Sequence, residues 1–231
     1  MMDKPQMIVP GAEAFAKPRT RRDFFKTLAV AGIGAAAGGA MLARPASAQL
    51  GEINDDIDIA NFALTLEFLE TEYYSLALDT GLLSGSALSF ISMVRDNEAA
   101  HAEALIGLIQ QFGGTPVEAP EFTFPDEALA SQQGILEFTG VLEPTGRSAY
   151  LGAAPLIQDP SVLAAAGSIA GVEAEQTVGV RNLLGFVPPT TTPFPEALSV
   201  DEVLAAVAPF LGMGEMMDTG GAVAGGSHRA L

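Results

Sequence analysis

The chain has 231 residues, with 28 acidic and 11 basic side chains, a net charge of −17 and no cysteine. A field of that sign repels nucleic acid and anionic lipid surfaces and draws in cations, metal ions among them. Without cysteine no disulfide can stabilise the fold, so a packed core has to.

Charge is unevenly spread. Seven of the basic residues fall within the first 48 positions: Lys4, Lys17, Arg19, Arg21, Arg22, Lys26 and Arg44. The remainder keeps only Arg95, Arg147, Arg181 and Arg229 against most of the acids, many of which simply solvate the surface. Within the first 48 residues, Thr20-Arg21-Arg22-Asp23-Phe24-Phe25-Lys26 precedes a weakly apolar Gly/Ala-rich run from 27 to 42 and the small-residue cleavage site Ala46-Ser47-Ala48. The run is shorter than the roughly 20 residues that span a bilayer. This segment resembles a twin-arginine export signal, a bacterial address, with an uncleaved tether as the alternative. The resemblance implies removal of residues 1–48, the twin-arginine translocase as a transient partner, and a periplasmic or otherwise extracytoplasmic destination. Such export carries proteins already folded, often around a cofactor, and folding in a reducing cytoplasm accounts for the lack of cysteine.

Residues 49–212 read as one domain of helices, followed by a loose Gly/Ala/Met tail over 213–231. The first helix is expected from about Asp55 to Asp79. There Ile59, Phe62, Ala63, Leu66, Leu69 and Tyr73 recur at steps of three and four, and Asp55, Asp56 and Asp58 favour the helix start. A turn over 80–85 leads to a second helix, about Ser86 to Phe112, closed by Gly113-Gly114. Residues 115–130, with Pro116, Pro120 and Pro125, form a connection long enough to cross the end of a bundle. The third helix, about Ser131 to Ala154, contains Gly140, Pro144, Gly146 and Gly152, and Pro144 is expected to kink it. A fourth runs from about Ser161 to Leu184, and a short amphipathic helix from Val200 to Leu211 follows a proline-rich loop. The fold class is therefore all-α: a four-helix bundle with a long crossover between helices 2 and 3.

One pattern occurs twice. Glu67 and Tyr74 recur as Glu143 and Tyr150, an offset of 76 (143 − 67), and Glu98-x-x-His101 recurs as Glu173-x-x-Gln176, an offset of 75 (173 − 98). Phe62/Phe138 and Leu66/Leu142 match at 76 as well. Surface glutamates face water, but Glu67, Glu143 and Glu173 lie among apolar residues, and a buried carboxylate is costly unless it is paired or binds a metal. Glu98 and His101 are i and i+3, so both can face one ion. Glu67 and Glu70 share a helical stripe; the repeat favours Glu67, because Glu70 corresponds to Gly146. Tyr74 and Tyr150, taken alone, are ordinary core aromatics. Seven residues after each helix glutamate, each hydroxyl is also placed to orient a carboxylate of the opposite helix.

One glutamate from each of two helices plus Glu-x-x-His from the other two is the pattern of ferritin-like di-iron and di-manganese proteins. The stretches Asn61-Phe62-Ala63-Leu64-Thr65-Leu66-Glu67-Phe68-Leu69-Glu70-Thr71-Glu72-Tyr73-Tyr74 and Leu142-Glu143-Pro144-Thr145-Gly146-Arg147-Ser148-Ala149-Tyr150 resemble the first and third helices of the desiccation-related branch of that superfamily. The resemblance implies a di-iron or di-manganese site built from Glu67, Glu98, His101, Glu143, Glu173 and Gln176, with Tyr74 and Tyr150 behind the ligands. It departs at Gln176, where the family usually has histidine, although some ferritins have Glu-x-x-Gln in this helix, and at Pro144, where it commonly has an acid. An asymmetric pair follows: one ion on Glu67, Glu98, His101 and Glu143, and a weaker one on Glu98, Glu143 and Glu173. The activity implied is ferroxidase or dioxygen- or peroxide-linked stress protection. The alternative is a non-catalytic stress or desiccation-related bundle with a degenerate site. A third reading, an apolar ligand in the bundle core, rests only on the apolar helices, and no assembly surface can be read from the chain.

Overall fold

The computed structural model describes residues 53–189 and 192–211; the expected export signal and C-terminal tail lie outside them. Four long helices form, α1 (Asp56–Asp79), α2 (Gly85–Gln111), α3 (Gln132–Ala153) and α4 (Pro160–Leu183), followed by the short α5 (Val200–Val207) and a 3-10 turn over Ala208–Leu211. There is no strand among the described residues. Every start except that of α2 carries a side chain that satisfies first-turn N–H groups. Asp55 caps α1 by accepting from the N–H groups of Ile57 and Asp58, and Ser131 caps α3 by accepting from Gly134. Asp159 accepts from Ser161, with Pro160 in the first turn of α4, and Ser199 and Glu202 form a reciprocal capping box on α5. Helix α3 continues through Pro144, the position where the sequence predicts a kink.

Helix α1 packs most extensively on α2, and α3 on α4; smaller contacts join α1 to α3 and α2 to α4. The consecutive helices α2 and α3 share no extensive contact, so the chain between them has to travel. Its path is pinned at two points on α1. Asn61 donates to the Thr115 carbonyl (3.2 Å) and accepts from the Val117 N–H (2.9 Å). Further along, the Tyr73 hydroxyl donates to the carbonyls of Ala128 (3.0 Å) and Ile135 (3.2 Å). Twelve helical residues separate these anchors, about 18 Å. The crossover therefore traverses most of the bundle, and α3 begins beside the end of α1. At the opposite end the Asp56 carboxylate accepts from the N–H groups of Gln158 (2.8 Å) and Asp159 (2.7 Å), tying the start of α1 to the start of α4.

An aromatic group closes the Tyr73 end. Phe138 lies 4.7 Å from Tyr73 and 5.2 Å from Phe210, centroid to centroid, and the Phe210 carbonyl accepts from Thr123 in the crossover. The segment before α5 lies against α3, where the Leu198 N–H donates to the Ser148 carbonyl. This close approach needs Gly152: a Cβ there would sit 1.8 Å from the Leu198 carbonyl oxygen. Between the two ends the bundle interior is apolar, with Leu69, Ile91, Val94, Ile135 and Ile169 buried, except for one polar layer.

Candidate metal centre

Among the described residues five glutamates are buried: Glu67, Glu98, Glu143 and Glu173 at 0% exposure and Glu70 at 3%. A carboxylate in that setting needs a proton, a cation or several donors. All five lie in the middle of the four long helices, on the stripes that face the bundle axis. Glu67 and Glu70 come from α1, Glu98 and His101 from α2, Glu143 from α3, and Glu173 and Gln176 from α4.

The side chains form two overlapping groups. Glu67, Glu98, His101 and Glu173 each offer an atom within 4.8 Å of the others, and so do Glu70, Glu143 and Glu173. Glu173 belongs to both. His101 Nδ1 lies 2.7 Å from Glu98 Oε2, 3.2 Å from Glu67 Oε2 and 3.8 Å from Glu173 Oε1. Nδ1 thus sits where three carboxylates converge. Two tyrosines cross the bundle to hold the outer oxygens. The Tyr74 hydroxyl, on α1, donates to Glu143 Oε1 on α3, and the Tyr150 hydroxyl, on α3, donates to Glu67 Oε1 on α1. The Gln176 amide N–H donates to Glu98 Oε1.

Electrostatics follow from the crowding. Burial, offset in part by His101, pushes Glu67 up to about 7. Burial and neighbouring carboxylates hold Glu70, Glu143 and Glu173 well above the usual range. For His101 burial acts downward, but Glu67 and Glu98 outweigh it and hold the ring at about 10. The imidazolium proton supplies a positive charge at the point where a metal ion would supply more. The second group contains no histidine. Both oxygens of Glu173, Glu143 Oε2 and Gln176 Oε1 are buried without a hydrogen-bond partner. Unpartnered oxygens pointing into a shared, water-poor space are the donor chemistry that hard cations take. The residues present therefore fit a carboxylate-rich metal pair.

The repeat's Glu67, Glu98, His101, Glu143, Glu173 and Gln176, with Tyr74 and Tyr150, come together in this one layer. Two details differ from the sequence reading. Glu143 falls in the group opposite His101, and Glu173 rather than Glu98 and Glu143 is common to both groups. Glu70, set aside because its repeat counterpart is Gly146, is buried in the second group. The signal for it was present: it shares the stripe of Glu67, and an unmatched acid on a core-facing stripe is as costly as a matched one. An apolar recess lined by Phe62, Leu66, Leu105, Val162 and Ala166 shares Tyr150 with the carboxylate layer.

The sequence profile of the ferritin-like domain family matches residues 55–186, from the cap of α1 to just past α4, and so takes in the whole carboxylate layer. A search of the curated proteins finds no match. With an all-helical bundle, a traversing crossover and that profile in agreement, the chain belongs to the ferritin-like domain family.

Proposed function

We propose that the carboxylate layer holds a pair of iron or manganese ions and serves oxidative chemistry of the ferroxidase type, protecting the exported protein's surroundings from reactive iron or oxidants. The carrying observation is Glu173, a fully buried carboxylate with both oxygens unpartnered, placed between the His101 group and the Glu70/Glu143 pair. Five hard carboxylates with one imidazole suit iron or manganese better than copper or zinc. When bound, two adjacent redox ions supply electrons to dioxygen or peroxide. The apolar recess beside Tyr150 favours dioxygen, which enters apolar space more readily than a strongly hydrated oxidant.

The chain's own groups have distinct tasks in this reading. Tyr74 and Tyr150 fix the outer oxygens of Glu143 and Glu67, leaving the inner ones for the ions. His101 gives up its proton and offers Nδ1. Apolar packing above and below the layer keeps bulk water out. Purified protein, stripped of metal and given ferrous iron anaerobically, should oxidise it on admission of air much faster than a Glu98→Ala control; equal rates would sink the proposal.

Gln176 supports a second reading, a stress or desiccation-related bundle that binds metal weakly and turns nothing over. Its amide is a poorer ligand than the imidazole at the repeat-related position, His101. Elemental analysis after dialysis separates the two, since stoichiometric metal that is lost in His101→Ala argues against a degenerate site. Export through the twin-arginine route is part of the proposal, and rests on residues 20–48. No helix among the described residues is long and apolar enough to cross a membrane. Replacing Arg21 and Arg22 by lysine should leave the full-length chain in the cytoplasmic fraction.

A further inference from the structure

Among the acids and the histidine of the buried layer the internal repeat is broken at two positions, and the two breaks meet in space. His101 on α2 has Gln176 as its counterpart on α4, and Glu70 on α1 has Gly146 on α3. A Cβ built on Gly146 would lie 3.1 Å from Glu70 Oε1, 2.9 Å from Glu173 Oε2 and 3.4 Å from Glu173 Cδ. The bare backbone at 146 is thus the floor on which those two carboxylates rest. Glu70 reaches across from α1 into the gap, and its oxygen comes within 4.8 Å of oxygens of Glu143 and Glu173. Gln176, one turn beyond Glu173, turns its amide N–H away to Glu98 in the other group and brings no imidazole to this one.

Independent of that crowding, Glu143 Oε2 and both oxygens of Glu173 are buried and unpartnered. Two of the three carboxylates, Glu143 and Glu173, thus keep unused acceptors in one buried cluster that a cation would satisfy. Glu70 adds a hard anionic donor on the side of the centre where the repeat has lost its nitrogen.

Resting on the dinuclear reading, we infer that Glu70 is the ligand that replaces the missing imidazole: with Glu143 and Glu173 it holds the second ion, and Gly146 is the substitution that admits it. The two halves of the centre then differ in chemistry. The first has an imidazole nitrogen among its donors, whereas the second is built from oxygen alone and favours a hard cation such as Mn2+. Glu70 and Gly146 act as a matched pair, since a side chain at 146 would crowd the carboxylate that position 70 supplies, its Cβ 3.1 Å from Glu70 Oε1.

The test is metal stoichiometry on the intact metal-free chain, by equilibrium dialysis against Mn2+ followed by elemental analysis. Wild type should hold two ions per chain. Glu70→Gln, which keeps the shape and removes a buried charge, should hold one with unchanged affinity. Adding Gln176→His to Glu70→Gln should restore the second. Gly146→Ala approaches from the opposite side, and should weaken the second ion, by roughly tenfold or more, and more than the first. If Glu70→Gln still binds two ions with wild-type affinity, or Gly146→Ala binds as wild type does, the inference is overturned while the dinuclear reading stands. Wild type holding fewer than two ions overturns both.

Discussion

Tyr74 and Tyr150 matter because each donates to a carboxylate oxygen buried in the core, Glu143 Oε1 and Glu67 Oε1 respectively. Removing either hydroxyl strands a buried carboxylate oxygen. Tyr150→Phe and Tyr74→Phe should each cost the metal-free protein about 1–3 kcal/mol in urea unfolding. They should also weaken metal binding roughly 10–100-fold in titrations, because the ligand carboxylates lose their orientation. Glu67 and His101 set a pH dependence of definite sign. Both are raised in the fold, Glu67 from 4.5 to about 7 and His101 from 6.5 to about 10, so both take up protons on folding. The stability contributed by Glu67 is complete below 4.5 and lost as pH rises through about 7; that of His101 is complete below 6.5 and lost towards about 10. Metal-free protein should therefore have a lower urea midpoint at pH 8 than at pH 5, as far as this layer governs it. Metal affinity should run the other way, because each ion displaces those protons. The repeat and the apolar neighbourhoods make the candidate residues legible, placing Glu67, Glu98, His101, Glu143 and Glu173 on inward stripes. It hides Glu70, because ranking acids by their counterparts assumes two equal halves. Which carboxylate is shared is also beyond spacing: that depends on side-chain reach of an ångström or two across the axis.

At the scale of helices and connections, apolar periodicity and caps carry most of the information. Asp55, Ser131 and Asp159 mark three starts within a residue or so of where the pattern places them. The glycines of α3 read from sequence only as irregularity, because their purpose lies in a distant segment. Gly152 is the clear case. Gly152→Ala should destabilise by about 1–3 kcal/mol, as the new Cβ meets the Leu198 carbonyl and forces the segment before α5 outward. A thermal melt checks it, and an unchanged midpoint would mean that this segment yields freely. The two-point anchoring of the crossover was likewise illegible. Nothing local in Asn61 or Tyr73 announces a partner more than fifty residues away.

Across the molecule, the carboxylate layer lies where the α1–α2 pair meets the α3–α4 pair, and every group of ligand atoms takes members from both. A bound ion is therefore also a tie between the pairs, and whatever binds only the folded state stabilises it by mass action. Scanning calorimetry should show a higher unfolding temperature with Mn2+ or Fe2+ than without, worth about 2.7 kcal/mol at a free concentration one hundred times the dissociation constant. Glu98→Ala should abolish the rise. The exchange of tyrosines has a larger meaning. Tyr74 serves the later half and Tyr150 serves the earlier one, so each half hands over what it receives. That reciprocity is the pattern that a two-fold axis relating the α1–α2 pair to the α3–α4 pair produces. The crossover would then supply connectivity rather than shape. Two polypeptides divided within 115–125, produced in one cell, should find each other and rebuild the centre, and a permuted chain with the later half placed first should close the same bundle.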